Sequence, residues 1–248
     1  MGWLDGAMVG FDTETTGVNP SSDRIVTAAI LTRSGATGPV DRRTWLLDPG
    51  IDIPAAASAI HGVTTLMAQA EGADPVDALD EIADALAAAL RAGSPIVGFN
   101  VSYDLAILEA DLARNGLATL AARVGDGTAS AIRPVVDPLV LDRHLDRWRK
   151  GKRKLIDLCV AYGLDVDAGG LHAADADVLA TLDLLQAMAR AYPTIASVDV
   201  GDLHDLEVEA HRVWAEEFRA YLRSRGREDD LPEVAWPLPD PWPPATTV

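Results

Sequence analysis

The hydrophobic period changes part-way along the chain, and this change limits the fold more than any other feature of the sequence. Three apolar, β-rich runs come first, at residues 8–11, 25–32 and 44–47. Turn-forming residues separate them, which is typical of an antiparallel meander. From Val76 onward, helical spacing alternates with short apolar runs at 95–99 and 134–136. This order predicts an α/β fold in which a mixed five-stranded sheet is flanked by helices.

Helical spacing and stop signals predict the remaining elements. Apolar residues recur with this spacing in five segments, namely 76–90, 103–114, 137–145, 155–162 and 173–191. A further long helix is expected over 203–221, followed by a segment rich in proline and tryptophan. The stretch from Pro54 to Thr64 is interpreted as a long loop.

Charge and cysteine content limit the classes of protein that this chain can represent. The formal net charge is −17, so the general surface repels phosphate, and nucleic-acid binding would need local basic patches or metal ions. Cys159 is the single cysteine, which excludes an internal disulfide and favours a reduced compartment. No apolar run is long enough to cross a membrane, and the first five residues lack the basic segment that is typical of a secretory signal, so we expect a cytoplasmic protein.

Two carboxylates follow the first apolar run. Asp12 and Glu14 are two residues apart, so on a strand their side chains point to the same face. Carboxylates held this close raise each other's pKa unless a cation lies between them, and oxygen ligands favour Mg²⁺ or Mn²⁺. The alternative interpretation is a pair of solvated acids at a strand end.

Further polar residues follow the later elements. Asp104 falls in the first turn of a predicted helix, where aspartate is also favoured by the helix dipole alone. His172 precedes the helix that carries Asp177, and the two converge only if the histidine lies on the preceding loop. Asp175 competes with Asp177 for the same role, and His172 alone could be an ordinary surface histidine.

Taken together, these segments resemble a known family. FDTETTG, FNVSYD and HAADAD are similar to the three exonuclease motifs of DnaQ-like 3′–5′ exonucleases, in the subgroup with a histidine in the third motif (DEDDh). His61-Gly62-Val63-Thr64 also resembles a stretch between the first two motifs. The resemblance spans about residues 8–190, and FDTETTG is more similar to the exonuclease domain of the DNA polymerase III epsilon subunit than to oligoribonuclease. It implies a ribonuclease H-like fold.

The resemblance also implies roles for individual residues. Two divalent metal ions, Mg²⁺ or Mn²⁺, would be held by Asp12, Glu14, Asp104 and Asp177. His172 would be the general base. The residues expected on the substrate side are Thr13, Thr15, Thr16, His61 and Asn100.

The implied activity is metal-dependent 3′–5′ exonuclease action on single-stranded DNA, of a proofreading or repair type. Single-stranded 3′ ends would be the partner, DNA ahead of RNA, and a DNA polymerase or other replication partner could dock on the C-terminal extension. The alternatives are an RNA-trimming exoribonuclease and a non-catalytic nucleic-acid-binding adaptor on the same fold. A metal-dependent phosphatase would not need the spacing from His172 to Asp177.

The chain outside the motifs is predicted to form two further units. We expect an exonuclease domain over 1–193, a helical extension over 194–230 and a Pro/Trp-rich tail over 231–248. The basic stretch 143–154 could steer the substrate backbone, with Trp148 available to stack on a base, or it could be a solvated loop.

Overall fold

The structure is a computed structural model, and it describes residues 2–166, 173–229, 231–240 and 242. Within these residues the predicted mixed five-stranded sheet is confirmed. Its strands are β1 (Ala7–Thr15), β2 (Ile25–Ser34), β3 (Val40–Leu46), β4 (Ile96–Val97) and β5 (Val135–Val136). The strand order is β3-β2-β1-β4-β5, with β1–β2 and β2–β3 antiparallel and β1–β4 and β4–β5 parallel.

Ten α-helices cover the part of the chain that is described. They are α1 (Ala55–His61), α2 (Thr65–Glu71), α3 (Pro75–Arg91), α4 (Ser102–Arg114), α5 (Leu120–Val124), α6 (Pro138–Leu145), α7 (Leu155–Ala161), α8 (Ala174–Ala191), α9 (Pro193–Ser197) and α10 (Val200–Ser224). None of the described helices is both long and apolar enough to cross a membrane.

The expectation of a loop from Pro54 to Thr64 is wrong. Pro54 precedes α1, an alanine-rich helix that carries no apolar stripe and therefore gives no periodic signal, although alanine is the best helix former. Gly62 ends the helix with a φ of 79°, a left-handed conformation that glycine adopts readily. His61 is thus the last residue of a helix and not part of a loop.

The third strand is longer than its apolar run indicated. Residues 44–47 were predicted, whereas β3 begins at Val40 and includes Asp41, Arg42 and Arg43. The strand lies at the edge of the sheet, and most of its residues are exposed. Charged residues on an edge strand discourage pairing with other chains, and they also hide the strand from a search for apolar residues.

The sheet separates two apolar layers. Val9 and Phe11 of β1 face one layer, built with α3, α4 and α5. Met8 faces the other layer, which contains α7 and α8. Because side chains alternate along a strand, the even-numbered residues of β1 face α8 and the odd-numbered residues face α4. This alternation decides which helix each polar residue of β1 meets.

The C-terminal segments pack onto the same body. Helix α10 contacts α6 and β5. Trp236 and Leu238, in the segment after α10, are buried and join the layer that contains Phe11. The indole Nε1 of Trp242 donates a hydrogen bond of 3.2 Å to the carbonyl oxygen of Ala106 on α4. The division into units at 193 and 230 stays a prediction, but the described tail residues lie against the sheet-and-helix body.

Candidate active site

The candidate site lies where β1 continues beyond its parallel neighbour. Pairing of β1 with β4 ends at Gly10 and Val97, whereas β1 runs on to Thr15 beside β2. Asp12 and Glu14 therefore lie inside β1 and not at its end, but past the carboxyl end of β4. Ligands of open α/β sheets bind in this position, outside the carboxyl ends of parallel strands.

Three carboxylates meet on the α8 side of the sheet. Asp12, Glu14 and Asp177 each offer one oxygen, and these oxygens lie within 4.8 Å of one another. The even-numbered positions on β1 point Asp12 and Glu14 toward α8, whose first turn carries Asp177. Such a group of hard oxygen ligands suits Mg²⁺ or Mn²⁺.

Asp175 lies close to this cluster in sequence but has a different partner. Its carboxylate forms an ion pair of 2.5 Å with Arg42 of β3. Two residues correspond to about 200° around a helix, so Asp175 and Asp177 point in nearly opposite directions. Of these two acids, the structure brings Asp177 to Asp12 and Glu14.

Asp104 approaches from the opposite face of the sheet. It is 4% exposed, and its Oδ1 accepts hydrogen bonds from the backbone N–H (3.0 Å) and the hydroxyl (2.7 Å) of Thr13. Thr13 is an odd-numbered residue of β1 and so faces α4, which carries Asp104 in its first turn. The predicted substrate residue Thr13 thus has a partner within the protein.

Burial and mutual repulsion raise the pKa values of these carboxyl groups. Burial is the main cause of a pKa of about 7 for Glu14 and also about 7 for Asp104. The pKa of Asp12 is raised well above its usual value, first by burial and then by the charges of Asp104, Asp177 and Glu14. A divalent cation would relieve this repulsion, so the electrostatics fit a metal site.

Ionisation of these carboxyl groups and binding of a metal ion should therefore depend on each other. Thermal stability measured with and without Mg²⁺ tests this dependence. Without metal, the folded protein holds protons on Glu14 and Asp104 that the unfolded chain releases at lower pH, so unfolding free energy falls as pH rises to about 7. Saturating Mg²⁺ should raise Tm by several degrees more at about pH 8 than at about pH 5, because only ionised carboxylates bind it well. Glu14→Gln should shrink this difference; an equal Mg²⁺ shift at both pH values would contradict the dependence.

A glycine permits the close approach of α8 to β1. A Cβ atom on Gly10 would lie 2.3 Å from Cγ1 of Val178, the residue after Asp177. Val178 is buried and β-branched, so its side chain has little freedom to move aside in a helix. Gly10 therefore sets the distance at which Asp177 meets the carboxylates of β1.

Gly10→Ala should disturb stability and the site together. We expect a loss of roughly 1–3 kcal/mol in unfolding free energy from overpacking, with a smaller Mg²⁺-dependent rise in Tm than the native chain shows. Thermal melts with and without Mg²⁺ measure both quantities. Gly93→Ala is a control for loss of stability away from the site: a Cβ on Gly93 would meet no atom within 4 Å, but its φ of 76° strains alanine, so Tm should fall while the Mg²⁺ shift stays native. An unchanged Mg²⁺ shift in Gly10→Ala would show that this packing does not position Asp177.

A cleft of about 470 Å³ opens beside the carboxylates. The last residues of β1, the loop that follows, α1 and Tyr103 line it. The Tyr103 hydroxyl is 2.8 Å from Oγ1 of Thr15 and donates to the carbonyl oxygen of Gly17 at 2.5 Å, and burial raises its pKa to about 12. Tyr103 is not among the predicted site residues because a tyrosine at the start of a helix carries no distinct signal.

Two predicted substrate residues border this cleft in different ways. His61 lines it, and burial lowers the pKa of its imidazole, an effect that the backbone of Thr15 partly opposes. Its Nδ1 accepts the N–H of Val63 at 3.2 Å. Thr16 is buried, and its hydroxyl donates to Asp23 at 3.0 Å, so it supports the loop after β1.

Asn100 lies at the sharp connection from β4 to α4. Its φ of 61° is left-handed, a region that asparagine tolerates better than most residues. The backbone N–H groups of Asn100 and Val101 both donate to the carboxylate of Asp137, at 3.1 Å each. Asp137 in turn uses its own N–H to contact the buried carboxyl of Glu207 on α10, at 3.1 and 3.2 Å.

This chain of contacts joins the C-terminal helix to the loop before Asp104. Asp137 was predicted only as the start of a helix, and as an aspartate just before Pro138 it is a recognisable N-cap. Burial raises the pKa of Asp137 to about 6 and that of Glu207 well above its usual value. No sequence signal pointed to Glu207, because its partner is 70 residues away.

The basic stretch 143–154 is largely occupied by contacts within the protein. Arg149 and Arg153 form ion pairs with the buried carboxylate of Asp142, at 2.9 and 2.7 Å. Trp148 is 82% exposed, and Lys150 and Lys152 are also exposed. Substrate steering by this stretch stays a prediction, and the two lysines are the residues with which to test it.

His172, the predicted general base, lies outside the described residues, as do residues 167–171. The structure describes the other nine predicted site residues. Asp12, Glu14 and Asp177 form one cluster, Asp104 is held at its edge by Thr13, and Thr15, Thr16 and His61 border the cleft. Asn100 is at the β4–α4 connection, further from the cluster.

Comparison with known proteins places this geometry in context. The model of the RNase_T family, described as an exonuclease, matches residues 9–185. A DNA polymerase III of the PolC type from Lacticaseibacillus paracasei is 29% identical over 185 residues, which is 73% of this chain but 11% of that protein.

Solved structures with similar folds include exonuclease I. The Escherichia coli enzyme in complex with a dA16 oligonucleotide has a TM-score of 0.64 at 19% identity, with 84% of this chain and 44% of that chain covered. Exonuclease I from Methylocaldum szegediense gives 0.63 at 21% identity, covering 88% and 45%. The chain thus spans less than half of these proteins, and the likeness concerns the fold.

Proposed function

Because the chain belongs to the DnaQ-like exonuclease family, we propose that it hydrolyses the terminal phosphodiester at the 3′ end of single-stranded DNA and releases nucleoside 5′-monophosphates. The observation that carries this proposal is the cluster of Asp12, Glu14 and Asp177 beside an open cleft of about 470 Å³. A 3′ end could enter this cleft along the backbone of Thr15 and Gly17.

The carboxylates fit a site for divalent cations. Asp12, Glu14 and Asp177 would hold them, with Asp104 completing the set from the other face of the sheet. When bound, two Mg²⁺ or Mn²⁺ ions would supply charge neutralisation at the phosphoryl oxygens and activation of water. Two ions, and Mg²⁺ or Mn²⁺ as their identity, are part of the proposal.

The residues of the chain would supply positioning and proton transfer. Water attacks phosphorus and His172 accepts its proton; the bond from phosphorus to the 3′ oxygen breaks, and that oxygen takes a proton from solvent to become the 3′-hydroxyl of the shortened strand. A neutral imidazole suits this role near neutral pH. His61 and the hydroxyl of Thr15, which border the cleft, would contact the terminal nucleotide.

Single-stranded DNA is the proposed substrate because exonuclease I, which shares the fold, has been solved with oligodeoxynucleotides. The PolC-type relative favours a setting in DNA replication, and a solved complex of exonuclease I with SSB-Ct supports a replication partner for this fold. We place the protein in the cytoplasm, consistent with its single cysteine.

The test is single-turnover digestion of 5′-labelled DNA and RNA of the same sequence, with Mg²⁺ or Mn²⁺. The expected result is a ladder of products shortened from the 3′ end, formed faster from DNA. A faster ladder from RNA would move the assignment to an exoribonuclease. Cleavage of mononucleotides without any ladder would indicate a phosphatase, and tight binding with no cleavage would indicate an adaptor.

A further inference from the structure

A second cavity, of about 320 Å³, lies between the body and the C-terminal extension. Among the residues that line it are Asn100, Tyr103, Arg143, His211, Trp214 and Trp236. Its volume falls at the lower end of the range for small-ligand sites, which is roughly 300–1,000 Å³. The walls come from α4, α6, α10 and the tail, so the cavity exists only because the C-terminal segments pack on the exonuclease body.

This cavity is next to the candidate active site. Tyr103 lines both the cavity and the cleft beside the carboxylates. The loop after β1 also borders both, with Gly17 and Val18 at the cleft and Pro20 at the cavity. A strand whose 3′ end lies in the cleft could therefore continue past Tyr103 into the second cavity.

Arg143 gives the cavity a cation, and the carboxylate of Asp137 lines the same cavity and attracts it without coming within ion-pair distance. Arg143 forms no ion pair with any residue in the described ranges, whereas the nearby Arg147, Arg149 and Arg153 are all paired with acids. Burial lowers its pKa, but a guanidinium stays charged at neutral pH. In a chain with a net charge of −17, an arginine left without an ion pair is available for an anion from outside.

The same arginine ends a column of stacked side chains on α10. Its guanidinium carbon is 3.7 Å from the centre of the Trp214 ring. Trp214 stacks on Phe218 at 5.5 Å between ring centres, and Phe218 stacks on Tyr221 at 6.1 Å. The Trp214 ring thus supports the guanidinium from one side, and an arginine guanidinium can also stack on a nucleic-acid base.

Two buried polar atoms of the lining also need partners. Nε1 of Trp236, a residue that is 4% exposed, has no hydrogen-bond acceptor among the described residues. Nε2 of His211 contacts the carbonyl oxygen of Glu233 at 3.0 Å and so acts as the donor, which leaves Nδ1 as an acceptor with no donor in the described chain. Among the lining residues there are thus one unused donor and one unused acceptor, which are groups that the polar edge of a nucleotide base can satisfy.

We propose that this cavity binds a nucleotide of the substrate strand on the 5′ side of the one being removed. Arg143 would stack on the base or contact its phosphate, and Trp236 and His211 would contact the polar edge. The direction of the strand rests on the proposed function, since only the 5′ side of the strand lies outside a cleft that holds the 3′ end. Nucleotide binding itself rests on the lining residues.

The experiment measures binding of a fluorescent oligothymidylate of about ten nucleotides, within the site size of single-strand binders. Asp12→Asn is present in every variant to prevent cleavage. Arg143→Gln should raise Kd about tenfold or more, because one stacking contact on a base is lost. Arg143→Lys, which keeps the charge but not the planar group, should raise it by less.

Arg212→Gln is the matched control, because it makes the same charge change on the exposed side of α10, where Arg212 pairs with Glu209 and Glu216. Its Kd should equal that of the parent. Thermal melts show whether each variant folds. If Arg143→Gln lowers Tm strongly, Arg143→Lys decides the question.

Unchanged affinity in a folded Arg143→Gln variant, or in Arg143→Lys where that variant decides, would overturn the cavity assignment. The proposed function would survive this result if the native chain still shortened DNA from the 3′ end. Conversely, affinity could depend on Arg143 while the native chain fails to shorten DNA. That result would support the nucleotide site and contradict the exonuclease proposal. If Arg212→Gln raised Kd by the same factor, the loss of one positive charge anywhere on the protein would explain the effect. That result would also overturn the assignment.

Discussion

Asp12→Asn is expected to lower the rate of 3′ shortening by at least about 10³-fold while the chain still folds. An amide has nearly the shape of the carboxylate but is a poorer ligand for a hard cation, so the cluster with Glu14 and Asp177 would lose its central anion. A 10³-fold loss corresponds to about 4 kcal/mol of transition-state stabilisation. Single-turnover digestion of labelled DNA measures the rate.

The same substitution should stabilise the metal-free protein. The pKa of Asp12 is raised by burial and by three neighbouring acids, so its ionised form is costly in the folded state. Asp12→Asn removes that charge, and Tm in a chelator at about pH 8 should rise while the Mg²⁺-dependent increase disappears. Nearly full activity or an unaltered Mg²⁺ shift would show that metal binds elsewhere.

Asp175→Asn provides the matched control. This acid lies in the first turn of α8, two residues before Asp177, and it pairs with Arg42 in a partly exposed ion pair. Exposed ion pairs contribute little to stability, so this variant should change Tm by no more than a few degrees and the rate by no more than a few-fold. A loss of rate as large as that of Asp12→Asn would reverse the assignment of Asp175 and Asp177.

His172→Gln is the second substitution for which we expect a large effect. As the proposed general base, His172 should account for roughly 10²–10⁴-fold in rate. At saturating Mg²⁺ the rate of 3′ shortening by the native chain should rise with pH through the usual pKa of an imidazole, about 6.5, because only the neutral form accepts a proton. The variant should lose this rise and keep the Mg²⁺-dependent increase in Tm.

His144→Gln serves as the control for histidine replacement. His144 is exposed on α6 and has no place in the candidate site, so its variant should keep both the rate and the pH profile. If His172→Gln retained the native rate, proton removal would have to be assigned to another group. If it lost metal binding as well, the residue would be supporting the site and not acting as a base.

Local geometry explains why much of the site could be predicted from sequence. Side chains alternate along a strand, so Asp12 and Glu14 had to share a face wherever the strand was placed. The first turn of a helix after a short strand had to bring Asp104 near the same edge of the sheet. The three motifs and their order then indicated the family before any contact was known.

Other features depend on residues that are far apart in the chain. Asp175 and Asp177 are equivalent by type, and only the position of Arg42 on β3 separates them. Thr13 was predicted on the substrate side, yet the alternation of β1 turns it to Asp104 on α4. The alanine-rich helix over 55–61 was not predicted, because its sequence has no periodic stripe of large apolar residues.

The sequence by itself determined the local rules: the period of each element, the shared face of the β1 carboxylates and the family motifs, since each depends on neighbours within a few residues. The tertiary structure alone decided how α8 packs over Gly10, that Glu207 supports the loop before Asp104, and that Arg143 is left without an ion pair beside a cavity. These features arise from packing between segments that lie tens of residues apart, and no periodicity in the chain records such distances.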